Sequence, residues 1–291
     1  MSISDALGRQ HEVKLRQGTI RYREQGEGEP IVFVHGLLVN GDLWRKVVPM
    51  LSDRYRCITP DWPLGSHEVP LSPDADLTPP GLAKLIADFL EALDLRDATI
   101  VSNDTGTALT QILATKHPER VGRVVLTSGD AFDNFPPKMF KGVIGLGYVP
   151  GSLWLLDKAA RPNKARRLSL APLAKTLHDP AIFESYAGQV KHAGIRKDLG
   201  KVLRALRSRY TKEAAEKLGR LEVPVLLVWA PDDPFFPNEH AKRLAELVPD
   251  GRIVWIEDSK AFVSEDQPER TAEAIADFMA ERTQKAAGRT A

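Results

Sequence analysis

The turn at residues 100–107 constrains the fold of this chain more than any other stretch of its sequence. There an apolar, β-branched run meets a helix-like segment through small residues that surround one acidic side chain, Asp104. A tight strand-to-helix turn of this kind lifts its central side chain above the carboxyl edge of a parallel sheet, and it requires small residues two positions to either side. Ser102 and Gly106 satisfy that requirement. The pattern therefore predicts an α/β fold that presents Asp104 at the edge of its sheet.

The acidic side chain at the centre of this turn indicates a type of chemistry. A serine there would attack a carbonyl carbon and form an acyl ester, whereas a carboxylate would attack an alkyl carbon or a strained ring and form an alkyl ester. Asp104 is therefore a candidate nucleophile. The alternative is that Asp104 has only a structural role, because Asp is a favoured N-cap residue and could simply begin the helix that follows.

The composition is typical of a globular protein that acts on a small molecule. Its 291 residues, 43% apolar and 27% charged, suffice for one α/β domain with an insertion. A formal net charge of +1 gives no field that would attract nucleic acid or an anionic membrane. No signal segment and no run of about 18 apolar residues occurs, so we expect a cytoplasmic protein, monomeric or homodimeric. We expect no metal site, because no His, Cys and Asp cluster has ligand spacing, and we expect no cofactor.

Hydrophobic runs predict about eight strands in a mostly parallel sheet. Alternating runs on either side of Gly18 predict an antiparallel hairpin at the sheet edge, and continuous apolar runs predict strands covered on both faces. The predicted strands cover 11–15, 19–23, 31–34, 55–59, 98–101, 121–126, 223–229 and 252–256. Helices are predicted after Gly41 with Asp42 as cap, from Pro79, at 109–116, at 238–248 and from Pro268.

The pattern changes between about residues 131 and 221. Strand-like runs disappear there, and short amphipathic segments interrupted by prolines replace them. An all-helical insertion between two strands is the simplest description. We therefore predict a core formed by residues 1–130 and 222–291, with residues 131–221 as a helical cap.

These features together resemble the α/β-hydrolase fold, specifically its branch of haloalkane dehalogenases and epoxide hydrolases. The resemblance runs nearly end to end and implies an eight-stranded core under a helical cap. In chain order it rests on His35-Gly36 after a strand, Trp44 nine residues later, the Asp-centred turn, the helical insertion, Trp229-Ala230-Pro231-Asp232-Asp233, and the segment 262–269.

The resemblance also implies catalytic roles, and one of them has no matching side chain. It assigns the nucleophile to Asp104, which would form an alkyl ester, and the acid that orients a histidine to Asp233, with Asp130 as the alternative location. The histidine that activates water should stand at position 261, where this chain has Ala261. Alanine cannot accept a proton, so the general base is missing from its place. His67, in a loop predicted at the carboxyl edge of the sheet, is the best substitute.

The oxyanion hole is formed by backbone N–H groups, so the resemblance implies its position whatever side chains are present. Its donors would be the N–H groups of Leu37 and Thr105, and His35 would brace the loop between them. In haloalkane dehalogenases, Trp and commonly Asn occupy the positions of Thr105 and Leu37 and hold the departing halide. Asn40 lies three residues from the second of these positions. We therefore expect negligible turnover of simple haloalkanes.

Epoxide opening in this branch would require cap tyrosines that donate to the oxygen. Tyr148, Tyr186 and Tyr210 lie in the predicted cap, and each is expected to be a packing residue with its hydroxyl at the surface. The leading hypothesis is an enzyme that acts on a small apolar molecule through Asp104. The alternatives are a non-hydrolytic descendant, such as a lyase, isomerase, cyclase or ligand-binding protein, and a hydrolase in which Ala261 replaces an original histidine.

Overall fold

An eight-stranded sheet forms the centre of the protein, for which a computed structural model describes residues 3–160, 168, 170–177 and 179–287. The strands are β1 (Arg9–Leu15), β2 (Gly18–Gln25), β3 (Glu29–Val34), β4 (Tyr55–Pro60), β5 (Ala98–Asp104), β6 (Val121–Gly129), β7 (Val225–Trp229) and β8 (Gly251–Trp255). Their order in the sheet is β1-β2-β4-β3-β5-β6-β7-β8. The β1–β2 and β2–β4 pairs are antiparallel and the other pairs are parallel. The predicted mostly parallel sheet is confirmed.

Eleven α-helices are present among the described residues, and most flank this sheet. They are α1 (Val48–Leu51), α2 (Pro79–Ala92), α3 (Thr105–Lys116), α4 (Lys141–Leu146), α5 (Ser152–Ala160), α6 (Pro180–Ala187), α7 (Ala193–Ala205), α8 (Arg209–Leu218), α9 (Asn238–Leu247), α10 (Val263–Asp266) and α11 (Pro268–Ala287). None of them combines the length and the apolar composition needed to cross a membrane.

Strands β5 and β6 lie in the middle of the sheet and are buried along their whole length. Continuous apolar sequence produces this burial, because helices cover both faces of a central parallel strand. Helix α3, which follows β5 directly, is likewise buried from Thr105 to Ala114. The turn that carries Asp104 is therefore held between elements that cannot shift without disrupting the core.

The prediction for the segment after Gly41 was wrong in detail. A short 3₁₀ turn, Gly41–Trp44, replaces the long helix, and α1 follows as a separate single turn. The N-cap of the 3₁₀ turn is Asn40 instead of Asp42: its side chain accepts a hydrogen bond from the Asp42 N–H at 3.2 Å. Both residues can cap, and the tertiary contacts of Asn40 decide between them.

The described residues between β6 and β7 form helices and turns, with no strand among them. We call the helices α4–α8 of this segment the inserted helices. Two buried acids of α10 hydrogen bond to this segment and hold it against the core. The Asp266 carboxylate accepts the Lys175 and Thr176 N–H groups at 2.7 and 2.8 Å, and Glu265 accepts the hydroxyl of Tyr186 at 3.1 Å.

Candidate active site

Asp104 occupies a sharp, strained turn at the end of β5. Its φ and ψ are 54° and −126°, a left-handed conformation that a non-glycine residue adopts only where the surroundings impose it. Space around the turn is very restricted. A Cβ on Gly36 would overlap the Asp104 carboxylate, and one on Gly106 would overlap the Val34 carbonyl oxygen. The small residue noted at position 106 is thus explained by close backbone approach.

Two backbone N–H groups face the Asp104 carboxylate. They belong to Thr105, at the start of α3, and to Leu37, in the loop after β3, and both hydrogen bond to it. The loop that carries Leu37 is fixed in turn by Leu38, which has a φ of 59° and donates its N–H to the Leu64 carbonyl at 2.9 Å. The two donors predicted for the oxyanion hole therefore lie together at the candidate nucleophile.

His35 is fully buried, and both of its ring nitrogens are occupied. The Trp62 N–H donates to Nε2 at 2.8 Å, so the proton is on Nδ1, which donates to the Gly36 carbonyl at 2.9 Å. Burial lowers the pKa of His35 to about 4, and the ring is neutral at physiological pH. These contacts suit a residue that braces the loop, and they leave no nitrogen free to act as a base.

Asp130 and Asp233 lie near Asp104, so that three carboxyl groups from three strand ends occupy one site. Burial, reinforced by the charge of Asp233, raises the pKa of Asp104 to about 7, against the lowering effect of its two N–H donors. Burial and the charge of Asp104 raise the pKa of Asp130 well above its usual range. Burial also raises the pKa of Asp233 to about 7. Neighbouring buried carboxylates cannot all be ionised, and at least one holds a proton at neutral pH.

Asp233 directs one oxygen toward its own loop. The Phe235 and Phe236 N–H groups donate to Oδ1 at 2.8 and 3.3 Å, which fixes the turn after β7. Its Oδ2 is buried, and the Ser128 hydroxyl is the side-chain donor beside this carboxyl group. The resemblance implies that the Asp233 carboxylate faces a histidine, and none of the described histidines occupies that place.

Ala261 is fully buried in the loop between β8 and α10. Its carbonyl accepts a hydrogen bond from the Asn103 amide at 2.7 Å, and the same amide donates to Thr127 Oγ1 at 2.8 Å. The residue directly before the candidate nucleophile therefore holds the loop where the histidine would stand. Sequence reasoning missed Asn103, although its position beside Asp104 was a signal for it.

His67 and Asn40 do not line the cavity above Asp104. The Nε2 atom of His67 lies 3.3 Å from Oδ2 of Asp198 on α7, and both side chains are buried. Asn40 donates to the hydroxyl of Ser185 on α6 at 2.9 Å in addition to capping its own turn. Both residues bind the inserted helices instead of facing the candidate nucleophile.

A largely apolar cavity of about 240 Å³ lies over Asp104. The core contributes Asp104, Thr105 and Asp130 to its lining. The inserted helices contribute mainly apolar side chains, among them Val143, Ile144 and Leu156, together with Asp157. Tyr186 also lines it, and the expectation of a surface hydroxyl was wrong for this residue because it is buried and bonded to Glu265. Tyr148, by contrast, is 53% exposed, and the Tyr210 hydroxyl binds the exposed Arg209.

The other histidines that the structure describes offer no base either, and His11 stacks on Tyr22 at the edge of the sheet. His240 packs edge-on against Phe132, His117 ends α3, and His192 precedes α7. His178 lies outside the described residues. Within the described ranges, no group of three or more His, Cys, Asp or Glu side chains is arranged to hold a metal ion.

A mostly parallel sheet flanked by helices, with a strained carboxylate after the central strand and two N–H groups facing it, defines an α/β hydrolase. The chain belongs to the alpha/beta hydrolase fold family, which matches residues 29–268. It is therefore an enzyme of the α/β-hydrolase superfamily, and the fold leaves its reaction open.

Individual proteins are similar to this chain over most of its length. The chain is similar to the uncharacterized hydrolase YugF of Bacillus subtilis, with 29% identity over 261 residues that cover 89% of this chain and 92% of that one. It is also similar to haloalkane dehalogenase 2 of Mycobacterium tuberculosis, with 28% identity over 269 residues that cover 89% and 91% of the two chains. A crystal structure of an α/β hydrolase fold protein from Burkholderia ambifaria aligns with a TM-score of 0.78 at 20% identity, over 92% of this chain and 97% of that chain. This last likeness concerns the fold alone.

Proposed function

We propose that the protein acts on a small apolar electrophile through Asp104, which forms an alkyl ester with it. The observation that carries this proposal is the position of the Asp104 carboxylate, on a strained turn under an apolar cavity with two N–H donors. The oxygen held by Leu37 and Thr105 would become the carbonyl oxygen of the ester, and the other oxygen would attack carbon. The same N–H groups would then stabilise the negative oxygen that develops when water attacks the ester.

Residues 131–221 would serve as the cap of this site. The cavity lining supports this division, since Leu37 and Asp104 come from the core while Val143 and Leu156 come from the inserted helices. An apolar cover of this kind would bind a substrate by excluding water from it. The substrate class that fits is therefore a small, mainly hydrocarbon molecule with one reactive carbon.

Hydrolysis of the ester would be slow, because position 261 supplies no base. A general base typically contributes about 10²–10⁴-fold to such a step. Without an imidazole, Asp233 has no histidine to orient and serves its own loop. The two relatives described above carry the names of a hydrolase and a dehalogenase. Their names favour descent from a hydrolytic enzyme, and they do not favour the alternatives of a lyase, isomerase, cyclase or binding protein.

Release of halide from simple haloalkanes is expected to be negligible, despite the similarity to a haloalkane dehalogenase. No Trp, Asn or Gln side chain is among the described residues that line the cavity, so a departing halide would lack side-chain N–H donors. Asn40, the nearest candidate in sequence, is bonded to Ser185 instead. A pH-indicator assay would contradict this expectation if halide were released at ordinary enzyme rates of about 1 s⁻¹ or more.

Intact-mass measurement tests the proposed nucleophile directly. After incubation with a panel of small epoxides and alkyl methanesulfonates, the unmodified protein should gain the mass of one alkyl group, and peptide mapping should locate it on Asp104. Asp104→Asn should gain none. Asp232→Asn, which changes an exposed acid beside Asp233, is the matched control and should react like the unmodified protein. A mass gain that persists in Asp104→Asn, or no gain with any compound, would reject the proposal.

A further inference from the structure

We propose that Asp130 is the proton donor of the first chemical step, so that the leaving atom of the substrate is an oxygen that must be protonated as its bond to carbon breaks. This inference rests on the proposed role of Asp104 as nucleophile. It gives Asp130 a direct chemical role, whereas the family resemblance offered it only as an alternative residue to orient a histidine.

Asp130 is placed beside the nucleophile by the backbone of the sheet. It follows β6, the neighbour of β5, and its N–H donates to the Asp104 carbonyl at 3.2 Å. The Gln111 amide on α3 donates to the Asp130 carbonyl at 2.8 Å, which fixes the residue from a second element. Both carboxyl groups line the same cavity. Because the two residues are held by regular structure, their side chains stay close without help from a flexible loop.

The Asp130 carboxyl has one oxygen that the protein does not use. Oδ2 accepts a hydrogen bond from Thr105 Oγ1 at 3.2 Å, whereas Oδ1 is buried and has no partner among the described residues. A buried polar atom without a partner is costly, and it requires an explanation in a native site. A proton on Oδ1 is free to bond to an oxygen of a bound substrate. That arrangement leaves no polar atom of this carboxyl unsatisfied once the substrate is present.

Burial and one neighbouring acid favour the protonated form of Asp130. Asp104 lies beside Asp130, and Asp233, in the turn after β7, acts in turn on Asp104. None of the described lining residues is positively charged. Burial and the charge of Asp104 accordingly raise the pKa of Asp130. The pair thus provides one carboxylate to attack and one carboxylic acid to donate, the division of labour found where environments separate two acids.

Tyr186 is not available for this task. It is the one tyrosine among the described residues that line the cavity, and its hydroxyl already donates to Glu265 Oε1 at 3.1 Å. Glu265 is itself held by Arg45 Nη2 at 2.9 Å and Lys46 Nζ at 3.1 Å, so the tyrosine proton is committed to a buried ion network. Apart from Asp104, the described acids that line the cavity are Asp157 on α5 and Asp130, and Asp130 is the one whose backbone is bonded to that of the nucleophile.

All atoms and protons of this step are accounted for when the substrate is a cyclic ether such as an epoxide. An Asp104 oxygen forms a bond to a ring carbon, the carbon–oxygen bond of the ring breaks, and the ring oxygen takes the proton from Asp130. The products are an alkyl ester on Asp104, a hydroxyl group on the substrate and an ionised Asp130. When water later hydrolyses the ester, the carboxylic acid formed on Asp104 returns its proton to Asp130, and both residues regain their starting states.

Two probes with one carbon skeleton separate protonation from every other contribution of Asp130. Styrene oxide has a leaving oxygen that needs a proton, whereas phenethyl methanesulfonate has a leaving group that departs as a stable anion. Single-turnover alkylation of Asp104 by each probe is measured by intact mass in the unmodified protein and in Asp130→Asn, which keeps the shape of the side chain. We expect Asp130→Asn to slow alkylation by the epoxide about 10²–10⁴-fold and alkylation by the methanesulfonate less than about 10-fold.

The outcomes separate this inference from the proposed function. If Asp130→Asn slows both probes equally, or slows neither, Asp130 is not the proton donor, while Asp104 remains the nucleophile. If the unmodified protein reacts with neither probe, both proposals fail. The methanesulfonate reaction also reports whether the Asp130→Asn site is correctly folded, and a thermal unfolding curve of the variant gives a second measure of its folding.

Discussion

At the scale of single residues, Ala261 determines how long an ester on Asp104 would persist. We predict that Ala261→His accelerates hydrolysis of this ester by about 10²–10⁴-fold, because it adds a general base at a position whose backbone is already fixed by Asn103. The lifetime of the adduct, followed by intact mass, measures the effect. The double variant with Asp104→Asn should form no adduct. Rapid multiple turnover in the unmodified chain would show that the base is not missing.

His67 provides the matched comparison for that experiment. Its ring is paired with Asp198, which also accepts the Leu71 N–H at 2.8 Å, so the pair joins the loop after β4 to α7. We predict that His67→Ala leaves the ester lifetime unchanged and lowers the free energy of unfolding. Loss of ester hydrolysis in His67→Ala, with Ala261→His inert, would identify His67 as the base after all.

At the scale of secondary-structure elements, α10 connects the core to the inserted helices through Glu265. Its fully buried side chain pairs with Arg45 and Lys46 and accepts the Tyr186 hydroxyl from α6. Removal of one member of a buried ion pair leaves the other charge uncompensated, at a cost of about 3–5 kcal/mol. We therefore predict that Glu265→Gln lowers the free energy of unfolding by about that amount, measured by urea denaturation.

An exposed ion pair gives the control for this prediction. Arg252 and Glu281 join β8 to α11 at the surface, with side chains 35% and 49% exposed. Exposed pairs contribute about 0–1 kcal/mol, so Glu281→Gln should change the unfolding free energy by less than about 1 kcal/mol. Similar losses in the two variants would mean that Glu265 is not the connection that the buried network indicates.

At the scale of the whole molecule, the clustered acids make stability depend on pH. Because the pKa values of Asp104, Asp130 and Asp233 are raised by folding, the folded state holds protons that the unfolded chain releases at lower pH. The stabilisation is complete below the unfolded pKa, near 4, and is lost as pH rises through the folded value of about 7. We predict that the free energy of unfolding falls by a few kcal/mol between pH 5 and pH 8.

Urea denaturation at a series of pH values tests this, with Asp104→Asn as the informative variant. Replacement of the acid by an amide removes one titrating group, so the variant should be more stable than the unmodified protein at pH 8 and less dependent on pH. The unfolding free energy of the variant should still depend on pH, because burial also raises the pKa of Asp61 to about 7. An unfolding free energy that is constant or rising over this range would contradict the assignment of buried, protonated acids.

The sequence by itself determined the features that depend on neighbouring residues. Apolar runs gave the parallel strands, and the small residues around Asp104 gave the sharp turn after β5, because local sterics and side-chain burial act over a few positions. The absence of an imidazole at Ala261 is equally a local fact. The resemblance led to the correct family and fold. The catalytic roles assigned to Asp104 and Asp233 remain predictions.

Only the tertiary structure decided which distant side chains meet. His67 pairs with a residue 131 positions away, and Asn40 binds one 145 positions away, so neither faces the cavity that its place in the sequence suggested. Tyr186 was expected at the surface and is instead buried against Glu265. The adjacency of Asp130 to Asp104 likewise follows from the pairing of β6 with β5. Such contacts depend on how whole elements pack, and no periodicity or motif within one segment encodes the partner that another segment brings.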